Sequence, residues 1–509
     1  MHHVLPSHFT DTDMPDWYAG RLFTNDANRK KRIAIIGGGL TGLTAAKELL
    51  DRGFAVTIFE DDSRLGGHIK TVPAAREGLF IEAGAELISG SHHHILELAK
   101  SLGLPVEKFA PKDSTTSMDT LLHIGGQFYS TAKFEKAFAP LAEAIAEDES
   151  QLYWRSEAPI THAKEIAWNR GFASSLDALS LTEYLQEKRD ILARRGIILP
   201  DWLISAIEIS YGGEIGRDAN DISALTFVTL LNTSLLRNGQ SLGMEMPGEQ
   251  NAIYRIRGGN EELIRALTEH VLSKSSVMDS WEGRDVIRHN AHVSEVQSLK
   301  NGSAINVLYT QDGMPQKERF DGIVTTMSMT RLKDIRGIDR LRKSHGASTK
   351  SIHTLKAMQE SELTKITFQI KLPPSSIFAT LNAGEPFEGF IYTDSGPQTV
   401  WVSSVNQRDY NGVTPTTGLI TCYISGNAAM KDPKILTEEC ERAILNMLRQ
   451  AKPELTREAV FTDFPATISQ WTGTQHGCFV APGRGQFLPL CEFNPYQSNV
   501  VTTGSFVPV

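Results

Sequence analysis

The chain has 509 residues, with 51 Lys+Arg against 60 Asp+Glu and 40% hydrophobic side chains. That is enough apolar material for two or three folding units, and it excludes disorder, collagen and a small disulfide scaffold. The formal charge of −9 is mild for this length and argues against nucleic acid as a partner.

Residues 1–30 mix Asp, His, Pro and Trp and read as a loose arm without the apolar stretch of a signal peptide. Nowhere does an apolar run approach the roughly 18 residues of a membrane span. Cys422, Cys440, Cys478 and Cys491 form no CxxC pair, which suits a reducing compartment and suggests neither zinc nor a disulfide framework. The expectation is a cytoplasmic protein with no membrane insertion.

Order begins at Lys31. Arg32 to Ile36 is a short β-branched run of the kind buried in a parallel sheet, and glycines follow at once. Leu43 to Arg52 carries apolar residues at helical spacing, and Gly53 is placed to stop it. Ala55 to Phe59 is a second strand, completing one βαβ unit. From about Ser101 to Gln250 the pattern is helical, as in Phe134 to Glu149, Leu181 to Arg195 and Leu203 to Ser210, with no strand pair predicted. Strand-like runs return at Lys365 to Leu372, Phe390 to Thr393, Thr399 to Val405 and Leu419 to Ser425. They predict an antiparallel sheet, followed by an amphipathic helix from Thr437 to Gln450. With no repeat and no Gly/Ser linker, interleaved units are favoured.

Gly37, Gly39 and Gly42 form G-x-G-x-x-G between the first strand and the helix. The first glycine makes the tight turn, the second lets backbone approach a pyrophosphate, and the third lets helix pack on strand. The helix N-terminus adds amide donors and a positive dipole end. Glu60 closes the second strand, where a carboxylate accepts ribose hydroxyls. A second glycine pair, Gly66 and Gly67, follows the acid, with Arg64 as a candidate charge beside phosphate. An NAD site has no need of that stretch, which favours FAD.

Here the sequence resembles the flavin amine oxidase superfamily, which includes monoamine and polyamine oxidases, L-amino acid oxidases and histone lysine demethylases. Its members show the same glycine opening, an acid, then Arg-x-Gly-Gly-Arg. His68 replaces the last arginine, as in phytoene desaturase-like flavoproteins. Phe80 to Glu86 leading to Ile95 to Leu104 resembles the strand, glycine and helix that pass under the flavin. Tyr254 to Asn260 resembles the segment that re-enters the FAD domain, and Val286 to Val296 the strand pair whose Val293 meets the adenine side. The resemblance implies an α/β fold. A doubly wound, Rossmann-like FAD-binding domain (31–105, 250–328 and 469–509) is interleaved with an α+β substrate domain (helical part 106–249, sheet part 329–468).

It also implies the chemistry. Hydride leaves the carbon bearing nitrogen for flavin N5, the imine hydrolyses, and molecular oxygen reoxidises the flavin to give peroxide. A lysine near N5 is implied at Lys333, after Ile323 to Leu332; Lys365 is the runner-up, its place in a strand suiting a structural role. Trp471 to Phe479 resembles the stretch that carries a thioether in monoamine oxidases. Cys478 is thereby a candidate covalent link, Phe479 and Trp471 are pocket residues, and a buried free cysteine is the alternative for Cys478. Asn499 to Gly504 resembles the last cofactor-side strand, with Gly504 near the flavin.

His92, His93 and His94 point in different directions from one helix turn, so no metal is expected; one of them faces the pocket, or all face solvent. The family's closing helix is not found before Val509, which leaves a shortened form, a homodimer or a capping partner open. The arginine with which amino acid oxidases pair a substrate carboxylate has no counterpart in Ala85 to Ile88. An amine is therefore favoured over an amino acid unless Arg257 or another distant arginine reaches in. The alternatives are a phytoene desaturase or protoporphyrinogen oxidase-like dehydrogenase and a non-catalytic flavin- or partner-binding protein.

Overall fold

A computed structural model describes residues 31–75, 78–90, 92–109, 120–152, 169–230, 253–276, 286–299, 304–344, 359–372, 389–407, 417–472 and 483–486, with His353, Ala357, Phe378 and Leu381. They divide into two compact units. One holds the described residues of Thr71–Asn260 and Glu360–Leu488, the other those of 31–70 and Glu261–Gln359. Residues 71–105 and 253–260, expected beside the glycine turn in sequence terms, belong to the larger unit, and 329–344 to the smaller.

The smaller unit is built on an all-parallel sheet in the order Ile287–Arg288, Ala55–Phe59, Arg32–Ile36, Gly322–Thr325. Its central strands read as continuous apolar runs because both faces are covered, and Ala55 to Phe59 is buried at every position. Helix Leu40–Asp51 joins the first two strands, and Gly53, at φ 87°, turns the chain back into the sheet. Helix Glu261–Ser276 packs along it, with His270 bonded to Asp51 at 3.1 Å. An antiparallel sheet of Ala291–Ser298, Ile305–Gln311 and Met314–Phe320 follows, and Phe59 meets Tyr309 and Phe320 edge-on.

The larger unit centres on a seven-stranded sheet: Thr467–Trp471, Leu363–Ile370, Gly418–Ser425, Thr399–Val402, Phe390–Thr393, Thr120–Ile124, Gln127–Ser130. All neighbours are antiparallel except Phe390–Thr393 with Thr120–Ile124. The hairpin 120–130 corrects the all-helical reading of 101–250. Its signal was the Gly125-Gly126 turn, both residues at positive φ, between two apolar alternations. The Cys422 face of the sheet meets helix Pro433–Ala451, where Cys440 sits against Cys422, both thiols free and buried. Helices Thr131–Leu152, Arg170–Ala178, Leu181–Arg194, Asp201–Ile215 and Ala224–Leu230 make a bundle. It is pinned by Asp148, which takes Tyr184 Oη at 2.7 Å and pairs with Lys188 at 2.5 Å. No described helix is long and apolar enough to cross a membrane.

Register fixes which side chains share a face of this sheet. Lys365 lies opposite Tyr423 and Ser469, and Tyr423 opposite Thr399. Stepping two along each strand adds Leu363, Trp401, Ser425 and Trp471 to the same face. Ile366 and Cys422 lie on the other.

Candidate functional site

In the smaller unit the glycine turn leaves no room for a side chain at Gly37, Gly38 or Gly42. A Cβ on Gly42 would stand 1.9 Å from Gly37 O, and one on Gly38 would stand 2.5 Å from Leu65 Cδ2. Gly37 itself sits at φ 108°, where only glycine is unstrained. Gly39 caps helix Leu40–Asp51 with extended backbone and no capping side chain, so the first-turn amides are left for a ligand.

Glu60 is tied to this turn from the next strand. Its Oε2 accepts from Gly38 N at 2.7 Å and its Oε1 from Asp62 N at 2.9 Å. Burial pushes its pKa up, and the two amides act in the opposite direction. Gly66 N donates to Gly38 O at 2.9 Å, bringing the second glycine pair against the first. Ala291 N donates to Glu60 O at 2.8 Å, so the strand carrying buried Val293 starts beside the acid.

The larger unit holds a second constellation, of buried charge. Lys365 Nζ donates to Glu82 O at 2.7 Å, Gly84 O at 3.2 Å and Glu86 Oε2 at 2.7 Å. Those three acceptors match the three ammonium donors. Trp401 Nε1 donates to the other Glu86 oxygen at 3.1 Å. Trp471 Nε1 and Ser469 Oγ both donate to Ala83 O, at 2.9 and 2.5 Å. Asn260 Nδ2 donates to Ala85 O at 3.1 Å and Glu86 O at 2.9 Å. Segment 82–86 is thus clamped from four separate stretches of chain.

Glu82 ends strand Phe80–Glu82 and accepts from Asn260 N at 2.6 Å and Thr71 Oγ1 at 2.8 Å. Burial nonetheless pushes its carboxyl up to about 7, with the Glu86 charge adding to the rise and Lys365 opposing it. Arg255 is 1% exposed; its guanidinium is spent on Ser403 O at 3.0 Å and on Val405 O.

A family profile described as flavin containing amine oxidoreductase matches residues 40–506. The chain belongs to this family. Among curated relatives, an L-amino-acid oxidase of Mus musculus is 37% identical over 95 residues, 19% of this chain but only 15% of that one. The flavin-dependent L-tryptophan oxidase RebO of Lentzea aerocolonigenes is 24% identical over 67% of this chain and 66% of its own. Two solved structures share the fold over 93% of this chain. Cyclohexylamine oxidase from Brevibacterium oxydans has a TM-score of 0.64 at 20% identity, covering 93% of that chain. Wild-type putrescine oxidase bound to putrescine has 0.63 at 16%, covering 92%.

The chain spans less than a third of the length of the first curated relatives it matches, and its glycine cradle with the docked carboxylate fits the flavin of this family. Gly37, Gly39, Gly42, Glu60, Gly66 and Gly67 are brought together. Arg64, the candidate charge beside phosphate, bonds backbone carbonyls of its own loop. Its Nη1 donates to Leu65 O at 2.9 Å and Ile69 O at 2.8 Å, folding its own glycine loop.

Lys333 is exposed at the C-cap of the short helix Met329–Leu332. Lys365, by contrast, is buried. Trp471 is buried at the Lys365 cluster, whereas His92, His93 and His94 are exposed. Among the described residues no cluster of metal ligands occurs. Arg257 is exposed and paired with Glu107 at 2.5 Å. Cys478, Phe479 and Gly504 lie outside the described residues.

Sequence reading missed Glu82, Glu86, Asn260, Arg255 and Trp401 as site residues. One signal was available: a lysine inside a strand of otherwise buried type needs a buried acid to meet it.

Proposed function

We propose that the chain oxidises the carbon–nitrogen bond of a small amine, with molecular oxygen as final acceptor. The observation that carries this reading is the Lys365 cluster, a buried, fully bonded charge group in a family member whose glycine cradle is intact. Lys365 takes the place given to Lys333 by the sequence. FAD, when bound, supplies the two-electron acceptor. Gly37, Gly39, Gly42, Gly66 and Gly67 hold it through backbone, Glu60 through its carboxylate, and Val293 from the neighbouring strand.

The rest of the work is orientation. Glu86 and Trp401 fix the Lys365 ammonium, and Lys365, Ser469, Trp471 and Asn260 fix the backbone of 82–86, so that the surface offered to substrate does not relax. Charge favours an amine over an amino acid. A substrate carboxylate calls for an open guanidinium, whereas Arg255 is spent on two carbonyls and Arg257 is exposed and paired. Glu82 and Glu86 bring acids to this region instead. The same polarity disfavours an apolar substrate oxidised at a C–C bond.

The test is spectral, then catalytic. Purified protein is expected to be yellow, to release flavin on acid precipitation, and to generate peroxide from amines in preference to amino acids. A yellow pellet would instead assign the flavin a bond to Cys478. Colourless protein, or silence across both substrate panels, overturns the reading.

A further inference from the structure

His123 has no part in the cradle or in the Lys365 cluster. It lies on strand Thr120–Ile124, four strands along the sheet from Lys365, roughly 19 Å. The side chain is 2% exposed, and it meets stretches 270 and 327 positions away. Nδ1 stands 3.0 Å from Thr393 Oγ1 and 3.3 Å from Ser395 Oγ, where strand Phe390–Thr393 turns toward Thr399–Val402. Nε2 stands 3.0 Å from Nε2 of Gln450, in the last turn of helix Pro433–Ala451. Phe128, on the second strand of the same hairpin, has its ring centre 4.7 Å from that of the imidazole.

One arrangement of protons satisfies these neighbours. The Gln450 amide also donates to Gly126 O at 3.1 Å, so its NH2 group, and not its oxygen, faces the ring. Nε2 of His123 must therefore accept, which places the ring proton on Nδ1, donated to Thr393 Oγ1. A second proton would turn Nε2 into a donor facing a donor. Turning the amide over would set its oxygen against Gly126 O, so the charged ring can only let the helix end go. Burial, the larger influence, disfavours that charge; the Asp394 carboxylate, which accepts from Gly125 N at 2.8 Å, favours it. The helix brings neutral Gln450, with Arg449 turned to Leu455 O, and the hairpin brings Phe128. The folded ring thus binds its proton less readily than the unfolded one, and the tie, full above about 6.5, is lost as pH falls below that value.

We infer that His123 is an acid-released clasp holding the end of helix Pro433–Ala451 to the hairpin 120–130, so that mild acid loosens this edge of the larger unit. A glutamine could bridge the same groups without titrating. Histidine joins them through the side chain whose charge changes near physiological pH.

Hydrogen exchange of the flavin-loaded protein at about pH 7.5 and about pH 5.5, corrected for intrinsic rates, tests it. In wild type, protection is expected to fall roughly 10-fold in peptides spanning 121–130 and 445–452 and to hold in strands Leu363–Ile370 and Gly418–Ser425. His123→Gln is expected to remove the fall. Gln450→Glu is expected to reverse it, because a carboxylate accepts from the charged ring, and to move the ring's titration in proton NMR upward by about one pH unit or more. Gln450 is exposed, so Q450E decides should H123Q not fold. Wild-type protection that does not change with pH, an equal fall across the whole larger unit, or a fall of wild-type size in Q450E overturns the inference.

Discussion

The glycine cradle and the Lys365 cluster are built on opposite principles. The cradle is made of backbone and of missing side chains. Most of its parts lie between Gly37 and Gly67, and the side chains that join it, Glu60, Arg64 and Thr326, all bond to backbone. The cluster is made of side chains gathered from Thr71, Glu82, Glu86, Asn260, Lys365, Trp401, Ser469 and Trp471. A local device tolerates change around it and fails when space is filled. A gathered device tolerates change of shape and fails when one charge loses its partner.

The sharpest break of that contrast is Lys365→Met. Removing one partner of a buried ion pair leaves Glu86 uncompensated and is expected to cost about 3–5 kcal/mol in denaturant unfolding, whereas Lys365→Met with Glu86→Leu recovers most of it. A single mutant as stable as wild type would show that the pair does not hold the sheet to segment 82–86.

Glu82→Gln probes the same cluster through pH. The folded carboxyl titrates near 7, above its ordinary 4.5. A group whose folded pKa is raised binds protons in the folded state first, so its contribution is full at acid pH and is lost as pH rises from about 4.5 to 7. The loss is up to about 3 kcal/mol. E82Q, which does not titrate, is expected to flatten the fall in unfolding free energy over that window; an unchanged slope places the proton elsewhere.

Gly42→Ala tests the cradle. The added methyl meets Gly37 O, and the helix must shift by more than a few tenths of an ångström. Overpacking of this kind costs about 1–3 kcal/mol. The larger consequence is expected in the visible spectrum, where the protein loses most of its bound flavin while remaining folded by circular dichroism. Retained flavin would mean that the turn is not where the pyrophosphate lies.

What was legible from sequence follows the same division. The strand, turn, helix, strand and acid of Arg32 to Glu60 are local, and their spacing alone predicted the parallel pair, though not the bond from Gly38 N to Glu60. The seven-stranded sheet was half legible. Its strands from Leu363 to Ser425 were predicted from alternation, but Thr120–Ile124 joins by parallel pairing with Phe390–Thr393, a contact that no local pattern announces. The cluster was least legible, because Glu82 and Lys365 are 283 positions apart and each alone reads as an ordinary surface residue type. Charge-pair logic applied to the strand would have helped: a lysine flanked by Leu363, Thr364, Ile366 and Thr367 has no solvated side to point to.

The smallest expected effect is the one that separates the two lysines. Lys333 is exposed at the C-cap of Met329–Leu332, a site where substitution ordinarily moves stability by less than about 0.5 kcal/mol. Lys333→Ala is therefore expected to leave the unfolding midpoint, the flavin spectrum and peroxide production near those of wild type. A conservative Lys365→Arg, by contrast, keeps the charge but cannot place three donors on Glu82 O, Gly84 O and Glu86 in the same space. If K333A loses turnover while K365R keeps it, the sequence pattern after strand Gly322–Thr325 outranks burial as a guide to the reacting lysine. The opposite result makes a lysine's buried partners, and not its position after a strand, the feature to look for.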